Sequence, residues 1–257
     1  PSEFSKLLMI ICMAKMLESR FNKLDTFKSL IVPVLYVGFP ILLVFMQPDL
    51  GTSLVYMAIF IGMLFISGIR LRLIRIIATV GVFLMPLAWF ILKDYQKKRI
   101  LVFMNPDIDP FGSGYHIIQS KIAIGSGTIF GKGLFNGTQS QLNFLPENHT
   151  DFIFSVIGEE LGFIGCVIVL ILLFMLIYRS IKVAYTCNDR FGMLLATGIS
   201  SMLCFEVLVN AGMTMGIMPV TGIPLPFISY GVSALTTNMI SIGILLNISM
   251  QRTKYIF

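Results

Sequence analysis

Charged side chains are scarce in this sequence: 12% of its 257 residues are Asp, Glu, Lys or Arg, against 56% that are hydrophobic. So little polar surface cannot cover a soluble globule. Cysteine is sparse as well, and Cys12, Cys166, Cys187 and Cys204 are scattered without ligand spacing. That speaks against a disulfide framework or a zinc site and for buried thiols. The two histidines, His116 and His149, form no His-x-x-x-His pattern, and no P-loop, dinucleotide fingerprint or supported Ser-His-Asp arrangement is present. Any chemistry is therefore expected to use no nucleotide. No signal-peptide layout opens the chain, which starts at Pro1 and enters an apolar segment at once, as an N-terminal truncation would.

What the sequence has instead is long apolar runs, with a mean hydropathy of +0.87. Seven candidate spans run from Phe4 to Leu17, Phe27 to Met46, Thr52 to Ile69, Leu73 to Leu92, Phe152 to Tyr178, Phe191 to Thr214 and Gly231 to Met250. The first falls short of the ~20 residues a span needs. The expected fold is an all-α polytopic membrane protein, with 1–257 as one membrane domain. The formal charge of +6 reads as topology and not as a nucleic-acid patch, because the basic residues flank the apolar runs. Arg20, Lys23 and Lys28, then Arg70, Arg72 and Arg75, then Arg179, Lys182 and Arg190, then Arg252 and Lys254 mark cytoplasmic segments and a cytoplasmic C-terminus. Segments 47–51 and 215–230 carry no Lys or Arg and are expected to face outward. The long connection 93–150 then faces outward with them.

A connection of that length is either functional or disordered. Here Tyr115, Ile117, Ile118, Ile122 and Ile124, with Gln119, Ser120 and Lys121 between them, predict a short amphipathic helix at the membrane surface. Gly125-Ser-Gly127, Gly131-Lys-Gly133 and Gly137 predict tight turns after it. The other outward segment, Met218-Pro-Val-Thr-Gly-Ile-Pro-Leu-Pro-Phe-Ile-Ser-Tyr-Gly231, is apolar but rich in proline and glycine. Backbone so irregular cannot face lipid, so a re-entrant or cavity-lining loop is expected.

Asp151, in Leu145-Pro-Glu-Asn-His-Thr-Asp-Phe-Ile-Phe154, is the leading site candidate, since a carboxylate at the lip of a span is costly unless it works or is paired. On a helix continued from it, Ser155, Gly158, Gly162 and Gly165 share its face to within about 40°. The bland alternative is a helix N-cap. Glu159 and Glu160 lie deeper, open to structural pairing or to catalysis, and Glu206 and Asn210 read as structural. Glu3 and Lys6 are spaced for an ion pair. Asp49 reads equally as a turn residue or a functional one. Arg99 and Lys121 suit a phosphate, or lipid headgroups. Gln119, His149 and Ser229 complete the candidate substrate-binding set. A transporter and an enzyme acting on a lipid substrate both survive; the carboxylate and cations gathered at one face favour the enzyme.

Pro1-Ser-Glu-Phe-Ser-Lys6, Gln47-Pro-Asp-Leu-Gly-Thr-Ser53, Leu145 to Phe154 with Gly158-Glu-Glu-Leu-Gly162, and Pro224-Leu-Pro-Phe-Ile-Ser-Tyr-Gly231 together resemble the shape, elongation, division and sporulation (SEDS) family of RodA and FtsW. Gly137-Thr-Gln-Ser-Gln-Leu-Asn143 and Pro219-Val-Thr-Gly-Ile-Pro224 read as the RodA branch. The resemblance implies the last seven of ten membrane helices, in a bacterial plasma (inner) membrane. It implies a peptidoglycan glycosyltransferase that polymerises lipid II beside a class B penicillin-binding protein; lipid II flipping is the alternative, and an inactive fragment a further one. It places the essential carboxylate at Asp151, the functional Glu and Lys at Glu3 and Lys6, and the loop arginine at Arg99. No cofactor is certain from it, a divalent cation at the pyrophosphate being left open. Two departures stand out. Asn148 replaces a frequent Arg, removing a pyrophosphate contact, and Val232 replaces a second Gly, adding a side chain to a close-packed turn.

Overall fold

A computed structural model of the chain describes residues 2–24, 26–47, 49–70, 72–76, 79, 83, 90, 93–110, 112–142 and 144–251. The fourth span read from the sequence, 73–92, lies largely outside them, as do Pro1, Pro48, Asn143, Arg252 and Lys254. The other six spans are helices: α1 Ser2–Glu18, α2 Phe27–Met46, α3 Leu50–Ile66, α7 Ile153–Thr186, α8 Arg190–Thr214 and α9 Val232–Gln251. Between α3 and α7 lie α4 Asp94–Met104, a 3₁₀ turn Pro106–Ile108, α5 Ser113–Ser126 and the single turn α6 Thr138–Gln141. Among the described residues α2, α7, α8 and α9 are long and apolar enough to cross a membrane, and α3 is a shorter apolar helix. The protein is thus an all-helical, multi-pass membrane protein.

The described chain forms two compact units. The first comprises 1–85, 176–205 and 232–257. In it α1 buries Leu7, Ile10, Met13, Ala14 and Leu17, and Gly198 of α8 gives Ile10 and Met63 room to approach, since a Cβ there would stand 2.7 Å from the Ile10 side chain. Lys6 is also buried, its Nζ 2.8 Å from both carboxylate oxygens of Glu3. Desolvating a lone ammonium would cost several kcal/mol, so the predicted ion pair is what permits Lys6 there. Asp49 caps α3: its oxygens accept from Thr52 N at 3.0 Å and Thr52 Oγ1 at 2.7 Å. Leu35 and Phe39 of α2 stay exposed, as a lipid-facing helix requires.

The second unit comprises 86–175 and 206–231. Its α7 is not continuous. Gly162 has φ +68° and ψ −165°, a conformation open essentially to glycine alone. The interruption frees main-chain groups that cannot remain unpaired at membrane depth. Segment 128–133 satisfies them: Phe163 N donates to Thr128 O at 2.9 Å, Ile164 N to Ile129 O at 3.2 Å, and Glu159 O and Glu160 O accept from Lys132 N and Gly133 N at 3.0 Å each. The small-residue stripe expected to continue from Asp151 therefore ends at the break: Gly158 admits Ile124 of α5, and Gly162 admits the loop at Ile129 and Gly131.

Further details differ from the sequence reading or add to it. Connection 93–150 holds α4, which the sequence reading missed. Gly125 and Ser126 belong to α5 and not to a turn. The buried face of α5 is Gly114, Ile117, Ser120 and Ala123, leaving Lys121 and Ile122 exposed. Ser120 Oγ donates to Thr214 O and pairs with Ser155 Oγ, both at 2.6 Å, fixing α5 against the ends of α7 and α8. Val232, exposed at the start of α9, crowds no turn.

Gly162→Ala should lower the melting temperature of the detergent-solubilised protein, losing about 1–3 kcal/mol from backbone strain alone, because its Cβ would also stand 2.6 Å from Ile129 O. Gly125→Ala, with nothing within 4 Å of the added Cβ, is the control. Equal melting temperatures for the two would refute this account of the break.

Candidate active site around Asp151

Asp151 precedes α7 by two residues and lies in a turn, so it is not on the helix face expected from the sequence. Its position comes from main-chain bonds of the segment before α7. His149 O accepts from Tyr230 N at 2.8 Å, Thr150 O from Ser229 Oγ at 2.7 Å and Asp151 O from Asn210 Nδ2 at 2.9 Å. The same Asn210 Nδ2 donates to Ile223 O at 2.7 Å. These bonds stitch 149–151 to 222–230, whose Ile223 and Leu225 are buried. The apolar, irregular loop is thereby sheltered by protein, as expected of backbone that cannot face lipid.

With its carbonyl engaged, Asp151 keeps its carboxylate free of any protein hydrogen bond among the described residues. Oδ2 lies beside Gly222, where an added Cβ would stand 3.4 Å away. Burial raises the Asp151 pKa above the ordinary carboxylate value, the charge of Glu147 raises it further, and Arg99 on α4 lowers it. Glu147 holds a left-handed φ of +52°, and its Oε2 accepts from Thr150 Oγ1 at 3.0 Å. Residues held in sparsely populated backbone regions gather at functional sites. His116 stacks on Phe152, ring centroids 5.9 Å apart, and burial lowers its pKa.

The second unit brings together Asp151, Arg99, Gln119, Lys121, His149, Glu159 and Ser229; Glu3, Lys6 and Asp49 belong to the first. Lys121 is exposed beside Gly216, and Gln119 and Arg99 are half-buried. Three candidates for substrate contact are instead used by the fold. Asp49 is the cap of α3. The Ser229 hydroxyl gives its proton to Thr150 O and accepts from Leu225 N at 2.7 Å. Glu159 is wholly buried: it pairs with Lys132 Nζ at 2.8 Å and accepts from Gln139 N at 2.9 Å and Ser140 N at 3.1 Å, closing the start of α6. Asn148, read as a lost pyrophosphate contact, is buried and donates to Ser140 O at 3.0 Å. Lys132, Glu147 and Asn148 are thus the supports that sequence reasoning missed; Asn210 was rightly read as structural. Among the described residues no group of three or more His, Cys, Asp or Glu side chains is placed to hold a metal ion.

The profile of the FtsW/RodA/SpoVE family of cell cycle proteins matches residues 1–254. The chain belongs to this family. It is 44% identical over 253 residues to the peptidoglycan glycosyltransferase MrdB of Escherichia coli (strain K12), covering 98% of this chain and 68% of that relative. It is 43% identical over 251 residues to the stage V sporulation protein E of Bacillus subtilis (strain 168), covering 97% and 68%. Among solved structures it resembles a chain of a peptidoglycan synthase complex that coordinates polymerization and crosslinking, with a TM-score of 0.81 and 32% identity over 100% of this chain and 71% of that one. It also resembles the rod shape determining protein RodA of Thermus thermophilus, with a TM-score of 0.66 and 30% identity over 98% and 66%. The chain spans about two thirds of the length of these family members.

Asn210→Leu should leave Asp151 O and Ile223 O without their donor, at a cost of about 2 kcal/mol or more. Hydrogen exchange in 222–230 should accelerate well beyond that of α9. Unchanged exchange there would show that Asn210 does not hold the loop.

Proposed function

We propose that the chain is the membrane-embedded catalytic part of a peptidoglycan glycosyltransferase of the RodA type, polymerising lipid II on the extracytoplasmic side of a bacterial inner membrane. The observation that carries the chemistry is the Asp151 carboxylate: half-buried, unspent on the fold and held by its own main chain against 222–230. The glycosyltransferase names of the family relatives support the reaction class. In the proposed step Asp151 takes the proton of an acceptor sugar hydroxyl as that oxygen attacks the anomeric carbon of the donor, and the lipid pyrophosphate leaves. General base action of this kind contributes roughly 10²–10⁴-fold. Arg99 and Lys121 are assigned to the charge of the departing pyrophosphate. A class B penicillin-binding protein is the proposed partner, and 1–257 one membrane domain.

Asp151→Asn in the natural full-length protein, assayed on labelled lipid II with its transpeptidase partner, should lose at least ~10²-fold in polymerisation while still binding lipid II. Polymer at the unsubstituted rate would remove Asp151 from the mechanism. The interrupted α7 is a feature shared with transporters; lipid II crossing proteoliposome membranes without polymer would point to flipping instead.

The base must be ionised to act. Because the folded-state pKa is raised, activity should fall with acidification at a pH above the ordinary 3.8. Glu147→Gln should move that limb to lower pH and Arg99→Gln to higher. The folded state binds this proton more tightly than the unfolded one, so the charge costs stability above both pKa values and the cost is relieved as pH falls through the raised one. Asp151→Asn should accordingly melt higher at neutral pH. A pH profile indifferent to both charge removals would contradict the assignment.

A further inference from the structure

Far along α7 from Asp151, within the first unit, a groove of about 440 Å³ runs between the last turns of α7 and the second half of α9. Its walls are apolar, formed by Leu176, Val183, Ile242, Leu245 and Leu246, and its mouth carries Arg179, Lys182 and Ser249. The other hydroxyls on it are spent: Ser180 Oγ donates to Leu176 O at 2.9 Å and Thr186 Oγ1 to Lys182 O at 2.7 Å. Arg179, Lys182 and Ser249 are exposed and have no protein partner among the described residues, and no carboxylate lines the groove. Two cations and a hydroxyl over an apolar slot are thus left to something outside the fold.

The position along the helix says what that is. The uncharged run of α7 ends at Tyr178, and Arg179 and Lys182 follow at once. Tyr178 and Tyr185, 55% and 88% exposed, flank the two cations. Exposed tyrosines next to the end of an apolar run mark the headgroup level of a bilayer, where the amphipathic ring is favoured. A groove at that depth, cationic at the mouth and apolar below, complements a molecule with a phosphate at the interface and chains beneath it. A water-soluble phosphate would leave the apolar slot unfilled.

We propose that this groove between α7 and α9 seats one anionic phospholipid, its phosphate held by Arg179 and Lys182, its glycerol region by Ser249 and an acyl chain against Leu245 and Leu246. The site is separate from the residues assigned to catalysis and does not depend on them. Lysine and arginine each contribute modestly to such an anion near a surface, and both act on the same phosphate.

The test uses the natural full-length protein in nanodiscs of phosphatidylethanolamine and phosphatidylglycerol at 3:1, with native mass spectrometry of the released protein. One phosphatidylglycerol should stay bound in preference to phosphatidylethanolamine. The double variant R179Q/K182Q should lower that retention roughly ten-fold, and Leu246→Trp, which fills the slot and keeps the charges, should lower it as well. Equal retention of the two lipids by the unsubstituted protein would overturn the proposal, as would unchanged phosphatidylglycerol in the double variant. Loss in the double variant with full retention in Leu246→Trp would refute the groove as the acyl seat. Circular dichroism of each variant identifies any that fails to fold, and Arg179→Lys, which keeps the charge, then serves in its place: it should retain the lipid, and loss there would also count against the assignment.

Discussion

The interruption of α7 at Gly162 is the constraint on which the second unit of this protein depends. An unbroken helix pairs its own main chain and asks nothing of its neighbours. A helix broken in the apolar region must borrow donors and acceptors, and here it borrows them from 128–133. That exchange fixes a loop which would otherwise be free, at the depth where the helix needs it. The buried Glu159, one turn before the break, then holds Lys132 and the amides that open α6. Ser140 passes the constraint to Asn148, and Asn148 to the turn that carries Asp151. A defect in a helix thus becomes a chain of supports ending at Asp151.

The membrane-spanning helices were legible because their signal is gross. The run from Phe27 to Met46 is apolar from end to end, and α2 has those same bounds. The break was not legible, because a lone glycine in an apolar run reads as a small residue for helix packing, and nothing local records that 128–133 would arrive to pair the freed groups. α4 was missed for a related reason. Of its 11 residues only Gln96 and Val102 are buried, so it shows no apolar stripe, and a helix so short is stabilised by its surroundings and not by its own propensity.

At the site, sequence motifs identified the segments but did not sort their roles. Asp49, Glu159, Ser229 and Asp151 are all polar groups next to irregular backbone, and each is a fair candidate on sequence alone. Hydrogen bonding separates them. Three have their oxygens committed to amides, hydroxyls or a lysine, while Asp151 lends the fold its carbonyl and keeps its side chain. The Glu3–Lys6 pair, by contrast, followed from spacing, because an i, i+3 relation on a helix is local.

The stitching of 149–151 to 222–230 also sets what an incoming molecule meets. The carbonyls of His149, Thr150 and Asp151 each accept one hydrogen bond from the fold, and Glu147 receives the Thr150 hydroxyl. A ligand hydroxyl approaching this turn therefore finds each of these carbonyls already engaged once, while the Asp151 carboxylate carries no protein hydrogen bond among the described residues. The main chain of this turn is thus bound into the fold, and the side chain it carries is what the fold leaves over.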